Sequence, residues 1–185
     1  MTGRHTPSRA LEHYLVAAAR SGDRRALGRL ARLRGPRLLA HAVRLLGEVE
    51  AAQDVVQDAW VEILRGLPGL RDVEAFPAWA TRIVTRRVAR TIAGRQRDRA
   101  TIRDAAPDLD DRSPSEGPDA ADARAVRAAI AALPPAHRAT VALFYLDDMS
   151  VAEVALATDT PEGTVKTRLM HARDKLRQSL KGDTP

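Results

Sequence analysis

The chain has 185 residues, 30 Lys and Arg against 24 Asp and Glu for a formal net charge of +6, and it is 44% hydrophobic but only 3% aromatic. It has no cysteine, which excludes disulfides, cysteine-ligated zinc and thiol catalysis and fits a reducing cytoplasm. No apolar run reaches the roughly eighteen residues of a membrane span, and the polar stretch Met1–Arg9 lacks the apolar segment of a secretory signal.

The length allows one ordinary domain or two small ones. Cores must be built from Leu, Ala, Val and Ile, and no strand-like alternation is visible, so an all-α fold is expected. Charge is unevenly spread. Residues 1–100 hold 19 basic and 10 acidic residues, residues 101–122 hold 2 and 7, and residues 123–185 hold 9 and 7. A basic front half points to a polyanionic partner.

In chain order, Leu11–Arg20 reads as a helix that stops at Ser21-Gly22. A second begins at Asp23, a residue type suited to capping, is interrupted at Gly35-Pro36, resumes through Leu38, Leu39, Val43 and Leu46, and ends at Gly47. A third runs from Val49 to Arg65. Its apolar residues Ala52, Val55, Val56, Ala59, Trp60, Ile63 and Leu64 make one buried stripe, and Gln53, Asp54, Gln57 and Asp58 face away from it. A loop from Gly66 to Glu74 follows. The next helix, Phe76 to about Arg97, has an inner stripe of Phe76, Trp79, Ala80, Ile83, Val84 and Val88. Its outer side carries Arg82, Arg86 and Arg90 four residues apart, with Arg87, Arg95, Arg97 and Arg99 nearby. Like charges at that spacing repel, and an anion such as DNA phosphate would neutralise them.

Thr101–Asp122 is acidic, contains Pro107, Pro114 and Pro118, and reads as a flexible linker. It divides the chain into a domain over 8–99 and a second over 123–181. Four helices are expected in the second: about Ala123–Ala132, Ala136–Tyr145, Val151–Ala157 and a last one to Leu180. Ser150 and Glu153 form a capping box. Thr160 caps the last helix, and Pro161 takes its first position. Val165, Leu169, Ala172, Leu176 and Leu180 are its inner stripe. A short helix, a tight turn and a longer polar-faced helix make a helix-turn-helix, whose second helix enters the DNA major groove. Thr164, Lys166, Thr167, Arg168 and His171 are then the residues available to bases and phosphates.

The run Leu133-Pro134-Pro135-Ala136-His137-Arg138, then Met149 to Ala155, then Gly163 to Leu169, with Ala172-Arg173 and Leu176, resembles the promoter-binding second domain of extracytoplasmic-function sigma factors, in the sigma-70 superfamily. Asp54-Val55-Val56-Gln57-Asp58 resembles that family's polymerase-docking helix, and Phe76-Pro77-Ala78-Trp79 with Ile83 the start of its upstream-element helix. The resemblance covers about residues 11–99 and 123–181. It implies a non-enzymatic cytoplasmic protein, acting at the nucleoid without a cofactor or metal, that directs promoter recognition and transcription initiation. Asp54, Gln57, Asp58 and Glu62 would dock on the β′ clamp helices of core RNA polymerase, with the β flap as a further contact. Arg82, Arg86, Arg87, Arg90, Arg95 and Arg97 would serve the −10 region, and Thr164, Lys166, Thr167, Arg168, His171 and Arg173 the −35 region. The acidic linker would thread towards the RNA exit path, and an anti-sigma factor would cover the same surfaces.

The chain departs from the family pattern where Arg86 replaces a usual Asn and Arg90 a usual Asp. An unusual −10 preference, or heavier use of phosphate contacts, is expected there. His171 stands where the family often has Arg, and histidine changes charge near neutrality, so −35 contact is expected to weaken at high pH. Two other readings fit parts of the pattern: an operator-binding helix-turn-helix regulator, and a sigma-like decoy for an anti-sigma factor. The regulator leaves the Asp54–Asp58 segment unexplained, and the decoy leaves the basic faces unexplained. The five scattered histidines and the absence of a Gly-rich phosphate loop argue against an enzyme.

Overall fold

The computed structural model describes residues 7–101 and 128–181, and among them every regular element is helical. Helix α1 spans Pro7–Arg20, beginning one turn before the apolar pattern does. It ends at Gly22, whose φ of +94° lies in the left-handed region where a side chain would be strained. Asp23 then caps α2 as expected, accepting from the backbone N–H of Arg25 at 2.8 Å and Ala26 at 3.1 Å.

Helix α2 spans Arg24–Leu46 and passes without a break through Pro36. The interruption expected at Gly35-Pro36 does not occur. An interior proline removes one backbone hydrogen bond and costs about 3 kcal/mol. Burial on both sides of it, at Leu30, Arg34, Leu38, His41 and Ala42, outweighs that local penalty. The expected stop at Gly47 is present, with φ +80° and its N–H donating to the Val43 carbonyl at 2.8 Å.

Helix α3 spans Val49–Gly66 and buries Ala52, Val55, Val56, Ala59 and Ile63. Trp60 is half-buried, and Leu64 is exposed rather than inward. Ile63 completes the stripe, and the next residue is rotated by about 100° out of it. A single 3₁₀ turn, Leu67–Gly69, opens the loop expected from Gly66 to Glu74. Helix α4 then spans Phe76–Thr101. Its expected inner stripe packs into one core with Leu15, Val16, Leu30, Leu38, Ala59 and Ile63 from the first three helices.

Beyond Thr101 the acidic linker, and the first half of the helix expected over Ala123–Ala132, lie outside the described residues, while 128–131 are helical. Helix α5 spans Pro135–Tyr145, α6 Val151–Thr158 and α7 Glu162–Lys181. A second core joins Leu133, Val141, Leu143, Met149, Val154, Ala157, Val165, Leu169 and Ala172. Ala78 of α4 is buried in this second core, so α4 is covered from two sides, by α2 and α3 on one and by α6 on the other.

A cation lies inside the first unit. Arg34 is 2% exposed, and its Nη2 donates to the Pro77 carbonyl and to Thr81 Oγ1, both at 3.3 Å. Its Nε lies 3.7 Å from Glu12 Oε1, too far for a hydrogen bond, and neither atom has a hydrogen-bond partner among the described residues. Burial lowers the Arg34 pKa, while Glu12 and Asp147 oppose that shift. Removing one member strands the other's charge, so Arg34→Ala is expected to lower the unfolding free energy by about 3–5 kcal/mol in urea titrations. Arg34→Met combined with Glu12→Leu should recover most of that loss. Equal destabilisation by the single and double variants would show that packing, not charge, holds this site.

Candidate nucleic-acid and polymerase interface

The helix-turn-helix is built by local rules. Ser150 Oγ accepts from the Glu153 N–H at 3.2 Å, and Glu153 Oε2 accepts from the Ser150 N–H at 2.7 Å, which is the expected capping box. Helix α6 stops at Asp159, which adopts a left-handed conformation of φ 54° and ψ 42°. A short polar side chain tolerates that region better than most residues. The Thr160 hydroxyl, expected to cap the next helix, instead shares a 2.8 Å hydrogen bond with Thr158.

Val165, Leu169 and Ala172 turn α7 inward, as expected. Thr164, Lys166 and Thr167 are left exposed on its first two turns, with Thr167 Oγ1 donating to the Gly163 carbonyl at 3.0 Å. Arg168 is half-buried. The exposed His171 ring stacks on His137, with centroids 6.4 Å apart and planes 10° from parallel. Burial lowers the His137 pKa, and the positive potential of Arg168, His171 and Lys175 adds to the shift. Arg173 is turned towards α5, its Nε donating to Tyr145 Oη at 2.8 Å. The exposed first turns therefore present fewer groups than the sequence set: Thr164, Lys166 and Thr167 face solvent, while His171 and Arg173 are engaged along the flank.

On α3, Asp54 and Gln57 are exposed. Asp58 and Glu62 share one cation, accepting from Arg87 Nη1 at 3.0 Å and Arg87 Nε at 3.2 Å. Arg87, grouped with the −10 residues by its place on α4, thus faces the acidic docking set. Arg95 pairs with Glu48 at 2.9 Å, and Arg97 Nε donates to the Ala93 carbonyl at 3.2 Å. Arg90 is exposed. Arg82 and Arg86 converge on one carboxylate of the second unit. Asp159 Oδ1 accepts from Arg82 Nε at 3.0 Å and Nη2 at 2.6 Å, and Asp159 Oδ2 from Arg86 Nε at 3.3 Å. The Arg82 hydrogen bond lowers the Asp159 pKa, and Arg86 adds to it.

Between these arginines a polar relay crosses the molecule. His41 Nε2 lies 2.9 Å from Thr85 Oγ1, and Thr85 Oγ1 lies 2.7 Å from the Ala157 carbonyl at the end of α6. Thr85 Oγ1 also lies 3.0 Å from the Thr81 carbonyl, and its single proton is committed to these two carbonyls, which can only accept, so His41 Nε2 is the donor to Thr85. Sequence reasoning missed Thr85, Thr81 and Asp159. Ala78, Thr81 and Thr85 recur at helical spacing on α4, a second stripe of small and hydroxyl residues that a search for apolar periodicity passes over.

The description "Sigma-70 region 2" matches residues 30–98, and "Sigma-70, region 4" matches 123–176. The ECF RNA polymerase sigma factor SigM of Mycobacterium tuberculosis is 34% identical over 180 residues, covering 96% of this chain and 87% of that one. The RNA polymerase sigma-H factor of Pseudomonas aeruginosa is 28% identical over 180 residues, covering 91% and 93%. Among solved structures, the sigma factor RpoE of Bartonella quintana, bound to the anti-sigma factor NepR, superposes with a TM-score of 0.72 over 85% of this chain and 98% of that one, at 22% identity. CnrH, in complex with the cytosolic domain of CnrY, gives a TM-score of 0.59 at 28% identity over 94% and 99%. The chain belongs to the extracytoplasmic-function RNA polymerase sigma factors of the sigma-70 family.

The buried histidine of the relay has a pH consequence. Burial, with Arg44 and Arg34 adding to it, pushes the His41 pKa down from 6.5 to about 3. The unfolded chain therefore binds the extra proton first. His41 contributes its full stability above about pH 6.5, and loses it progressively as pH falls towards about 3. The difference in unfolding free energy between the wild type and His41→Gln should change by up to about 1.4 kcal/mol per pH unit within that window. A difference that stays constant from pH 7 to 4.5 would rule out this linkage.

Proposed function

We propose that this chain binds core RNA polymerase through α3, engages the −10 region of a promoter through the loop at 66–74 and α4, and reads the −35 region through α7. The observation that carries this reading is the placement of two unlike faces on one packed unit. Asp54, Gln57, Asp58 and Glu62 lie on α3, and the arginine row lies on the adjacent α4. A carboxylate face suits basic side chains on the β′ clamp helices, and an arginine row suits phosphate. The β flap would take a further contact with the second unit. Thr164, Lys166, Thr167, Arg168, His171 and Arg173 are the −35 set, with Thr164 and Thr167 on the exposed first turns of α7 reading base edges and Lys166 and the flank contacting backbone. The unit boundaries are 8–99 and 123–181, with 100–122 joining them.

The chain supplies recognition, while the polymerase supplies the chemistry and its metal ions. It works in the cytoplasm, at the nucleoid, without a cofactor of its own. An anti-sigma factor is a further partner, by analogy with the complexes of RpoE with NepR and of CnrH with CnrY. Arg86 and Arg90 favour phosphate contact over base contact at the −10 element.

Run-off transcription with core polymerase on genomic promoters tests the reading. The wild type should yield discrete new transcripts, and Asp58→Arg should abolish them, because a cation there meets the basic clamp surface. No transcripts, together with tight duplex binding by the protein alone, would indicate an operator-binding regulator instead. On a fixed promoter, Lys166→Ala should weaken binding similarly for all −35 variants and reduce the salt slope by about 1. A change in base preference would instead assign Lys166 to base reading.

A further inference from the structure

We propose that the turn of the helix-turn-helix is an intramolecular clasp: Asp159 occupies the place of a DNA phosphate on Arg82 and Arg86, holds the free chain closed, and must be displaced before those arginines reach promoter DNA. The inference rests on the sigma-factor reading for what the arginines bind, and on geometry for the clasp itself.

Asp159 uses both carboxylate oxygens, Oδ1 on Arg82 and Oδ2 on Arg86. Two guanidinium groups four residues apart on one helix repel each other, and one shared anion relieves the repulsion. Thr85 lies between them on the same helix and donates to the Ala157 carbonyl at the end of α6. Other polar contacts also join the two units. Arg9 pairs with Glu153, Arg37 Nε lies 3.9 Å from Asp147, and Arg138 Nη2 donates to the Arg44 carbonyl at 3.1 Å. A cavity of about 150 Å³ remains in the seam, lined by Arg9, Glu12, Arg34, Arg37, Asp147 and Asp148 among others.

Opening such a seam uncovers Ala78 of α4, which the second core buries, and leaves the other core residues within their own units. The two cores are distinct, and Ala78 is the residue of the first unit that enters the second. Exposed ion pairs are individually weak and are screened by salt. A polyanion competes for the same guanidinium groups, so DNA backbone is both the ligand and the opener. The clasp is one-sided. Thr164, Lys166 and Thr167 stay exposed while it is shut, so the closed chain offers its −35 face and withholds two of its −10 arginines.

The test uses the full chain. It has no native cysteine, so Arg29→Cys with Gln178→Cys places one spin label on each unit, both at exposed positions. Distance measurement at roughly 0.05 M salt should give one short, narrow distribution in the wild type, lengthening at about 1 M salt. Asp159→Arg should lengthen it at low salt, and the charge swap Arg82→Asp with Asp159→Arg should restore it. If Asp159→Arg does not fold, Asp159→Asn serves the same measurement, and its distribution should also lengthen. Asp159→Asn should bind promoter DNA roughly 3- to 10-fold more tightly than wild type, as expected when the competent state is freed. Glu162→Gln, which removes the same charge nearby, should show a clearly smaller gain. An unchanged distance in both Asp159 variants, or a gain no larger than that of Glu162→Gln, would overturn the clasp. The two readings fail separately. A chain that opens as described but gives no run-off transcripts would sink the sigma-factor reading, and a chain that transcribes with an unaltered distance would sink only the clasp.

Discussion

Arginines at every fourth position of α4 impose a constraint that propagates through the molecule. Arg82, Arg86 and Arg90 stack on one face, at a spacing of about 5–6 Å between Cβ atoms where like charges destabilise a helix. The helix persists because its other faces are buried and because anions meet the charges. Phe76, Ala80, Val84 and Val88 enter the first core, and Ala78 enters the second. Asp58 and Glu62 take Arg87, Glu48 takes Arg95, and Asp159 takes Arg82 and Arg86. Each of these acids neutralises a cation that would otherwise repel its neighbours on the helix.

This arrangement links the surfaces of the protein electrostatically. Arg87 stands between the acidic face of α3 and the basic face of α4, so any partner that draws Asp58 and Glu62 away releases a cation beside the arginine row. Asp159 ties that row to the helix-turn-helix. The relay from His41 through Thr85 to Ala157 runs beneath it, with one buried imidazole at its inner end. Helix α4 thus packs on two sides and on a third carries cations held by carboxylates of other helices.

Much of the local structure could be read from the chain. The Asp23 cap, the Gly47 stop and the Ser150–Glu153 capping box depend on side chains meeting backbone a few residues away, and all three are present. The inner stripes of α3 and α4 were also legible, because burial against one neighbour leaves a simple period. The reading failed where a distant segment overrode a local rule. Pro36 remains inside α2 because flanking residues are buried by other helices. Leu64 faces solvent because Ile63 already fills the position. The second stripe of α4 escaped notice because small and hydroxyl residues carry little hydrophobic signal.

The candidate site divides along the same line. Residue type and spacing placed Asp54, Gln57 and Asp58 on one face of α3 and grouped the α4 arginines and the α7 polar residues, because each group lies within a single helix, where period determines face; Glu62 joined the first group only through the family resemblance. Which of these side chains are free was decided only by tertiary contacts. Arg173 turns to Tyr145, Arg87 to α3, and Arg82 and Arg86 to an aspartate more than seventy residues away. Nothing in local periodicity records such pairings. They arise when two units, each able to form its own core, bring unlike charges together across a polar seam.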